Sequence, residues 1–376
     1  MILRVSEEVF PETAQKMAEE LASAPRVKAL LILGCDGNGW TRTHLNPWLT
    51  ALRLPVFGGI FPQILADGRN LEKGCIVAGL FHGVQPLVVT GLSRPGNDFE
   101  AILENAAPDP QLSGKTLFVF VDGLSRRIGP FIHALFNTFG LQPNYIGGGA
   151  GSLSFTQKPC IITPQGLVAD AAILAISEVQ SAIGVAHGWF PISPAIKVTE
   201  ARQNRILSLN WEPAFTAYRR IAEAHSGMSF DKTPFFDIAK AYPLGIARLD
   251  AEMVVRDPIF TEYGALICVG DIPEGSYVHI LHGNTPSLIQ GARLARDTAL
   301  AAYSGEREAS ALFFMDCISR VLFMGEDFEK EIRVITHPPC TFGALSLGEI
   351  ANTGDAFLEF YNKTAVAGFL GDPNES

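Results

Sequence analysis

Leu117-Phe-Val-Phe-Val-Asp122, followed after a helical stretch by Tyr145-Ile-Gly-Gly-Gly-Ala-Gly151, is the stretch on which the reading of the fold turns. The first piece is a continuous apolar run ending in a polar residue, the pattern of a strand buried on both faces. The second begins on apolar side chains and dissolves into glycine, which predicts a tight turn, because glycine takes positive φ at no steric cost. The same order recurs from Ala29-Leu-Leu-Ile-Leu-Gly34 to Val56-Phe-Gly-Gly59 and from Leu312-Phe-Phe-Met-Asp-Cys317 to Thr341-Phe-Gly-Ala344, at similar intervals. Self-similarity at a fixed interval points to a duplicated supersecondary unit whose chain ends meet around shared pockets. Three widely spaced copies do not make a solenoid.

Working outward, Pro11 to Ala24 places Ala14, Met17, Ala18 and Leu21 at helical spacing behind a proline, an amphipathic helix. Cys75 to Leu80 and Pro86 to Thr90 read as adjacent strands, Asp98 to Asn105 and Gly129 to Phe139 as helices, and Gly166 to Ile176 with Ala182 to Ala186 as an antiparallel pair. A helix begins at Glu212-Pro213, where proline is tolerated, and runs through Ala214, Tyr218, Ile221 and Ala222. Short strands at Leu244–Ala247, Val254–Arg256, Ala265–Val269 and Tyr277–Leu281 follow, then a helix from Thr285 to Tyr303. Gly270-Asp-Ile-Pro-Glu-Gly275 is a turn between two of these strands. The fold expected is α/β, with two mixed-sheet domains built from duplicated strand-helix-Gly-turn units and divided into residues 1–210 and 211–376.

With 376 residues, 47% hydrophobic and 18% charged, the chain can bury a large core. A net charge of −10 without a Lys/Arg cluster argues against nucleic acid and anionic membrane surfaces as partners. No run approaches transmembrane length, and Met1 to Glu20 mixes charges where a signal peptide would be apolar. The cysteines 35, 75, 160, 268, 317 and 340 lack paired spacing, against a zinc knuckle or redox motif. A cytoplasmic location with reduced thiols is expected.

Several segments together resemble the FIST family, bacterial sensory domains with an N-terminal and a C-terminal part. The resemblance rests on Gly147-Gly-Gly-Ala-Gly151, His187-Gly-Trp-Phe-Pro191, Lys197-Val-Thr199 with Ala201 and Asn204, and Trp211-Glu-Pro-Ala214 followed by Tyr218. It continues through Pro243-Leu-Gly245, Val255-Arg256, Ile272-Pro-Glu-Gly275, Asp316-Cys-Ile-Ser-Arg320, Gly348-Glu-Ile350 and Tyr361-Asn-Lys-Thr364. The ordered combination covers roughly residues 25 to 370 and is what identifies it. The resemblance implies a sensory input module for small ligands such as amino acids, linked to kinases, chemoreceptors or cyclic-dinucleotide enzymes, so the signal would leave through a separate partner. Phe57-Gly-Gly-Ile-Phe-Pro62 departs from the Gly-Cys-Ser/Thr turn of many members, whereas Gly348-Glu349-Ile350 keeps the Gly-Glu-Ile that follows it.

The candidate binding residues fall in the second and third copies. Gly148, Gly149, Ala150 and Gly151 read either as a structural turn or as backbone that approaches an anionic group. They are not a P-loop, lacking the Lys-Ser/Thr ending, nor a dinucleotide fingerprint. Asp316, Cys317 and Arg320 sit where a strand meets a helix, a common ligand position. Arg320 offers a fork for a carboxylate and Glu349 a partner for an ammonium group; the alternative is an internal ion pair. Cys317 reads as a buried small hydrophobe rather than a nucleophile. Asn362 and Thr364 share one face of a short strand and could orient a ligand or satisfy backbone groups. Lys197 and Arg256 are two further cations on strands, with simple solvation as the alternative reading for either.

No cofactor is expected. His279 and His282 fall on opposite faces, against zinc. Some FIST proteins resemble this chain while serving as haem-based nitric oxide sensors, which makes His187, then His133 and His82, the haem-ligand alternative to a core or turn histidine. Ala344-Leu-Ser346-Leu-Gly348 superficially resembles a hydrolase nucleophile elbow, but no histidine follows Ser346. The expected function is therefore a non-enzymatic small-ligand sensor acting through a partner, with a haem sensor and a Ser346 hydrolase as alternatives.

Overall fold

A computed structural model describes residues 1–66, 68–107, 112–248, 252–305, 310–337, 339–352 and 358–371. Three six-stranded mixed sheets share one plan. The first runs β1 (Ile2–Ser6), β6 (Cys75–Leu80), β2 (Ala29–Cys35), β3 (Val56–Phe61), β10 (Ile161–Thr163), β11 (Gly166–Val168). The second runs β7 (Val84–Thr90), β12 (Ala171–Ser177), β8 (Thr116–Asp122), β9 (Asn144–Ala150), β24 (Glu349–Ala351), β25 (Glu359–Tyr361). The third runs β13 (Gln180–Ala186), β26 (Ala365–Gly371), β22 (Ala311–Cys317), β23 (Cys340–Ser346), β4 (Gln63–Ala66), β5 (Arg69–Leu71).

At the heart of each sheet lies the repeated unit, a parallel pair with an antiparallel strand against its first member: β2–β3 with β6, β8–β9 with β12, β22–β23 with β26. Helices make the crossovers: α2 (Arg42–Leu49) in the first, α4 (Ile128–Phe139) in the second, α8 (Ile318–Met324) and α9 (Phe328–Ile335) in the third. α1 (Pro11–Ala22) and α3 (Phe99–Ala106) add to the first two sheets, and α7 (Thr285–Ala302) packs on β13 and β26 of the third. The alternation of side chains sorts each central strand: Leu117, Val119 and Val121 join the cluster with α3 and α4, while Phe118 and Phe120 turn inward. There they meet Phe57, Phe61, Phe313 and Phe342, with neighbouring ring centroids 5.1 to 6.5 Å apart, in an aromatic core common to the three sheets.

The glycine segments are strands, not turns. Gly58, Gly147 and Gly343 occupy matching registers opposite Ile32, Val119 and Phe314. A Cβ at each would fall 1.7 to 1.9 Å from that partner's carbonyl oxygen. Only glycine allows so close an approach, and this requirement, rather than a reversal of the chain, explains its recurrence.

Each sheet is completed by a hairpin from another unit. β4–β5 follows the first unit but pairs with β23; β10–β11 follows the second but pairs with β3; β24–β25 follows the third but pairs with β9. Sequence-adjacent strands are accordingly often apart: Cys75–Leu80 and Val84–Thr90 belong to different sheets, and β12 pairs with β7 and β8 rather than with β13. The expected Gly166–Ile176 strand is two, β11 and β12.

Between β13 and α7 the chain leaves this core and builds a closed antiparallel barrel. Its strands are β15 (Ile196–Arg202), β16 (Arg205–Leu209), β18 (Leu244–Ile246), β19 (Val254–Glu262), β20 (Ala265–Val269) and β21 (Tyr277–His282), joined in the cycle β21-β15-β16-β20-β19-β18-β21. β14 (Phe190–Pro191) and β17 (Glu212–Pro213) pair at its margin, and α5 (Ala214–Ser226) and α6 (Phe235–Ala239) complete it. The Gly270–Gly275 turn joins β20 to β21 as expected. Residue 210 falls between β16 and β17, inside the barrel, and three of the four sheets draw strands from both sides of it. Spatially, the chain is a three-sheet core interrupted by the barrel of residues 190–282.

Candidate functional site

Asp316 and Cys317 end β22, and Arg320 follows one turn into α8. That placement agrees with expectation, but Arg320 is fully buried and each of its three nitrogens already faces a group of the protein. Its Nε lies 2.8 Å from Asp316 Oδ1, and one Nη contacts Glu331 of α9 at 2.6 Å and donates to Leu288 O at 3.0 Å. The other donates to His187 O at 2.7 Å. Arg320 is thus an internal tie between α7, α8, α9 and the start of the barrel segment.

Two buried carboxyl groups surround this one cation. Burial raises both Asp316 and Glu331 above the carboxylate range, Glu331 well above it, with the Arg320 charge opposing. Asp316 Oδ2 and Glu331 Oε1 have no other partner. With both carboxyl groups raised around a single cation, the acid form of one of them is favoured, which would bring the trio to neutrality.

Glu349 opens β24 and is equally enclosed. Its Oε1 accepts from Ser346 Oγ at 2.7 Å and its Oε2 from the Thr364 N–H at 3.3 Å. With no cation among these partners, burial raises it well above the ordinary range, so the acid form is favoured. Among the described residues Arg320 and Glu349 make no ion pair or hydrogen bond with each other; Asp316 lies between them, and its carbonyl accepts from Ser346 Oγ at 3.3 Å. Burial also pushes the Cys317 thiol up, and its Sγ lies 3.0 Å from Ser319 Oγ, which leaves it inert.

Gly148, Gly149, Ala150 and Gly151 are spent on chain packing. The Gly149 N–H donates to Gly348 O and the Gly151 N–H to Ile60 O, and a Cβ on Gly148 would sit 2.8 Å from Gly348 O. The second and third units do meet here, as strands β9 and β24. Asn362 and Thr364 lie in the bend between β25 and β26 rather than on a strand. The Thr364 hydroxyl is taken by Asn362 O at 2.7 Å, whereas Asn362 Oδ1 is buried without a partner.

Sequence reasoning passed over the residue between them. Lys363 is wholly buried, with Nζ 3.2 Å from Asp257 Oδ2, 3.0 Å from Lys240 O and 5.2 Å from the Trp189 ring centre. Asp257 and Lys240 belong to the barrel segment, Lys363 to the core. Arg256, for which solvation was one reading, is buried on its strand; it donates to Phe360 O at 2.9 Å across the same junction. Lys197 is half-buried on β15. The Trp189 indole donates to Lys363 O at 3.0 Å, and Arg248 pairs with Glu359 at 2.7 Å near the rim. Core and barrel are therefore joined along a polar seam. The available signal was charge set in apolar sequence, as in Val254-Val-Arg-Asp-Pro-Ile259.

Models of the FIST N domain and the FIST C domain match residues 49–212 and 214–352 of this sequence. The chain belongs to the FIST family. FIST domains are associated with sensory and signal-transduction roles and with small-ligand binding. A comparison with curated proteins found no significant match. The boundary between the two family models falls inside the spatially continuous barrel, so these two FIST segments are not two separate bodies.

The alternatives from the sequence can be tested on the same atoms. His187 Nδ1 accepts the Trp189 N–H at 2.9 Å, which places the ring proton on Nε2, 3.2 Å from Glu252 Oε1. Burial, helped by Arg320, lowers its pKa to about 3, so this contact is that of a neutral imidazole and not an ion pair. A proximal haem ligand needs a bare Nε2 or Nδ1 lone pair; in this arrangement one nitrogen is protonated and the other occupied, and His187 does not fit the role. Ser346 Oγ is buried against Glu349 and Asp316 O, neither of which is the imidazole that a serine nucleophile requires. Among the described residues no cluster of metal-ligating side chains occurs, and no helix is long and apolar enough to cross a membrane.

Proposed function

We propose that this FIST protein is a cytoplasmic sensor that reads an amino acid at the seam between core and barrel and passes the signal to a separate protein, such as a kinase or chemoreceptor. The observation that carries the reading is the pair of buried, unpartnered acceptors, Asp257 Oδ1 and Asn362 Oδ1, on opposite sides of that seam. They flank Lys363, two of whose three donors are engaged, by Asp257 and Lys240 O. Acceptors suit an ammonium group and the remaining lysine donor suits a carboxylate, the two termini of an amino acid. Junctions between structural units are favoured ligand sites. A ligand that exchanges for seam contacts would shift the barrel relative to the core, which is the differential interaction a sensor needs. The free state of the six cysteines supports a reducing compartment.

Calorimetric titration of the full chain with each proteinogenic amino acid tests this. At least one should bind, and Asn362→Ala should weaken that binding about tenfold, the order expected for one lost hydrogen bond to a charged group. A folded protein that binds none of them, or binds one equally well as wild type and as Asn362→Ala, refutes the proposal.

A further inference from the structure

At the other end of the three-sheet core lies a cavity of about 200 Å³ to which all three repeated units contribute. Leu80 ends β6 and Phe81 follows it, Val179 follows β12, and Leu370 and Gly371 end β26, so the ends of the three equivalent antiparallel strands converge there. Leu3 of β1 covers one side. None of the six phenylalanines of the aromatic core lines the cavity.

We propose that this axial cavity is a second ligand site, distinct from the polar seam, for an uncharged and compact apolar molecule about the size of a single aromatic ring. Its volume exceeds the roughly 150 Å³ of an apolar protein cavity that takes up benzene. Its walls are mainly aliphatic and aromatic, and no charged side chain lines it. The polar side chains at its margin, His82, Ser310 and Cys340, already have partners of their own, so recognition rests on shape and apolar surface. Leu3 and Phe81 are only half-buried, which gives the ligand a way in. Because strands from every unit end on the cavity, an occupant touches all three sheets at once.

Saturation-transfer NMR on the full chain with toluene as the probe decides the matter. Wild type should bind toluene, and Leu3→Trp, which fills the cavity from its half-buried side, should weaken binding at least tenfold; Val179→Phe fills it from another unit if the first variant fails to fold. Asn362→Ala, at the opposite end, should bind toluene as wild type does even if amino-acid binding is lost. Absence of transfer to wild type, or equal transfer to wild type and to a folded filled variant, overturns the assignment.

Discussion

Lowering the pH should destabilise this protein through His187 in a way that a single substitution abolishes. The ring is 3% exposed, accepts the Trp189 N–H and lies close enough to Arg320 for that charge to oppose a second. Its pKa is lowered to about 3, against an ordinary value of 6.5. Above pH 6.5 both the folded and the unfolded chain carry the neutral ring, and His187 contributes no pH dependence. Below it the unfolded chain takes up a proton that the folded chain refuses, so stability falls by about 1.4 kcal/mol per pH unit until the folded pKa is reached. Between pH 6.5 and pH 4 the loss is about 3 kcal/mol. His187→Asn keeps an acceptor for the Trp189 N–H, because Oδ1 takes the place of Nδ1, but cannot titrate. Denaturant unfolding of both proteins from pH 7 to pH 4 isolates the histidine, since the carboxyl groups are common to both. Wild type should lose about 3 kcal/mol more than the variant over that span. Parallel curves would show that the imidazole becomes protonated within the fold, and the account of its burial would fail.

Lys363→Met should cost about 3 to 5 kcal/mol, because it strands Asp257 as a buried charge, and adding Asp257→Asn should recover much of the loss; denaturant midpoints of the three proteins check this. Gly147→Ala should sharply reduce the yield of folded protein, since its Cβ would lie 1.8 Å from Val119 O; wild-type stability by thermal unfolding would contradict the close-approach argument. Glu349 has a raised pKa, so its contribution is fully present below the ordinary carboxylate value and is lost as pH rises towards the raised one. Glu349→Gln should accordingly flatten the stability profile above about pH 4.5 by up to about 1.4 kcal/mol per pH unit, and an unchanged slope in urea titrations would refute it.

The apolar runs at Ala29, Leu117 and Leu312 announced buried strands, because a strand covered on both faces has little room for polar residues. Their recurrence with helices revealed the repeated unit, but not that its second member is a parallel strand. The glycines misled because the commonest demand for glycine, a positive φ, is met in a turn, whereas Gly147 and Gly343 answer a neighbouring carbonyl in a strand. Nothing local in Gln63–Ala66 states that its partner is β23, since pairing of that kind is settled by the shape of the assembled core. At the site, Asp316 and Arg320 were legible from their place where an apolar strand meets a helix. Glu331 and His187, which complete the network, come from elements whose approach only the fold defines. Lys363 was overlooked because a lysine among polar residues reads as solvated, although the apolar strand that follows it, Ala365–Leu370, marks the bend as buried.

The exchanged hairpins bear on how the chain is made. Gln63 takes its place opposite Leu345, so the first sheet-completing hairpin emerges from the ribosome long before the strand it must join. At a synthesis rate of about 10 residues per second, that wait is roughly half a minute. Throughout it, β4 presents a bare apolar edge to its surroundings. A nascent chain of this design depends on the cell's holding factors the more, the slower it is translated, and a slow codon placed between the two halves should harm its yield more than the same codon near either end.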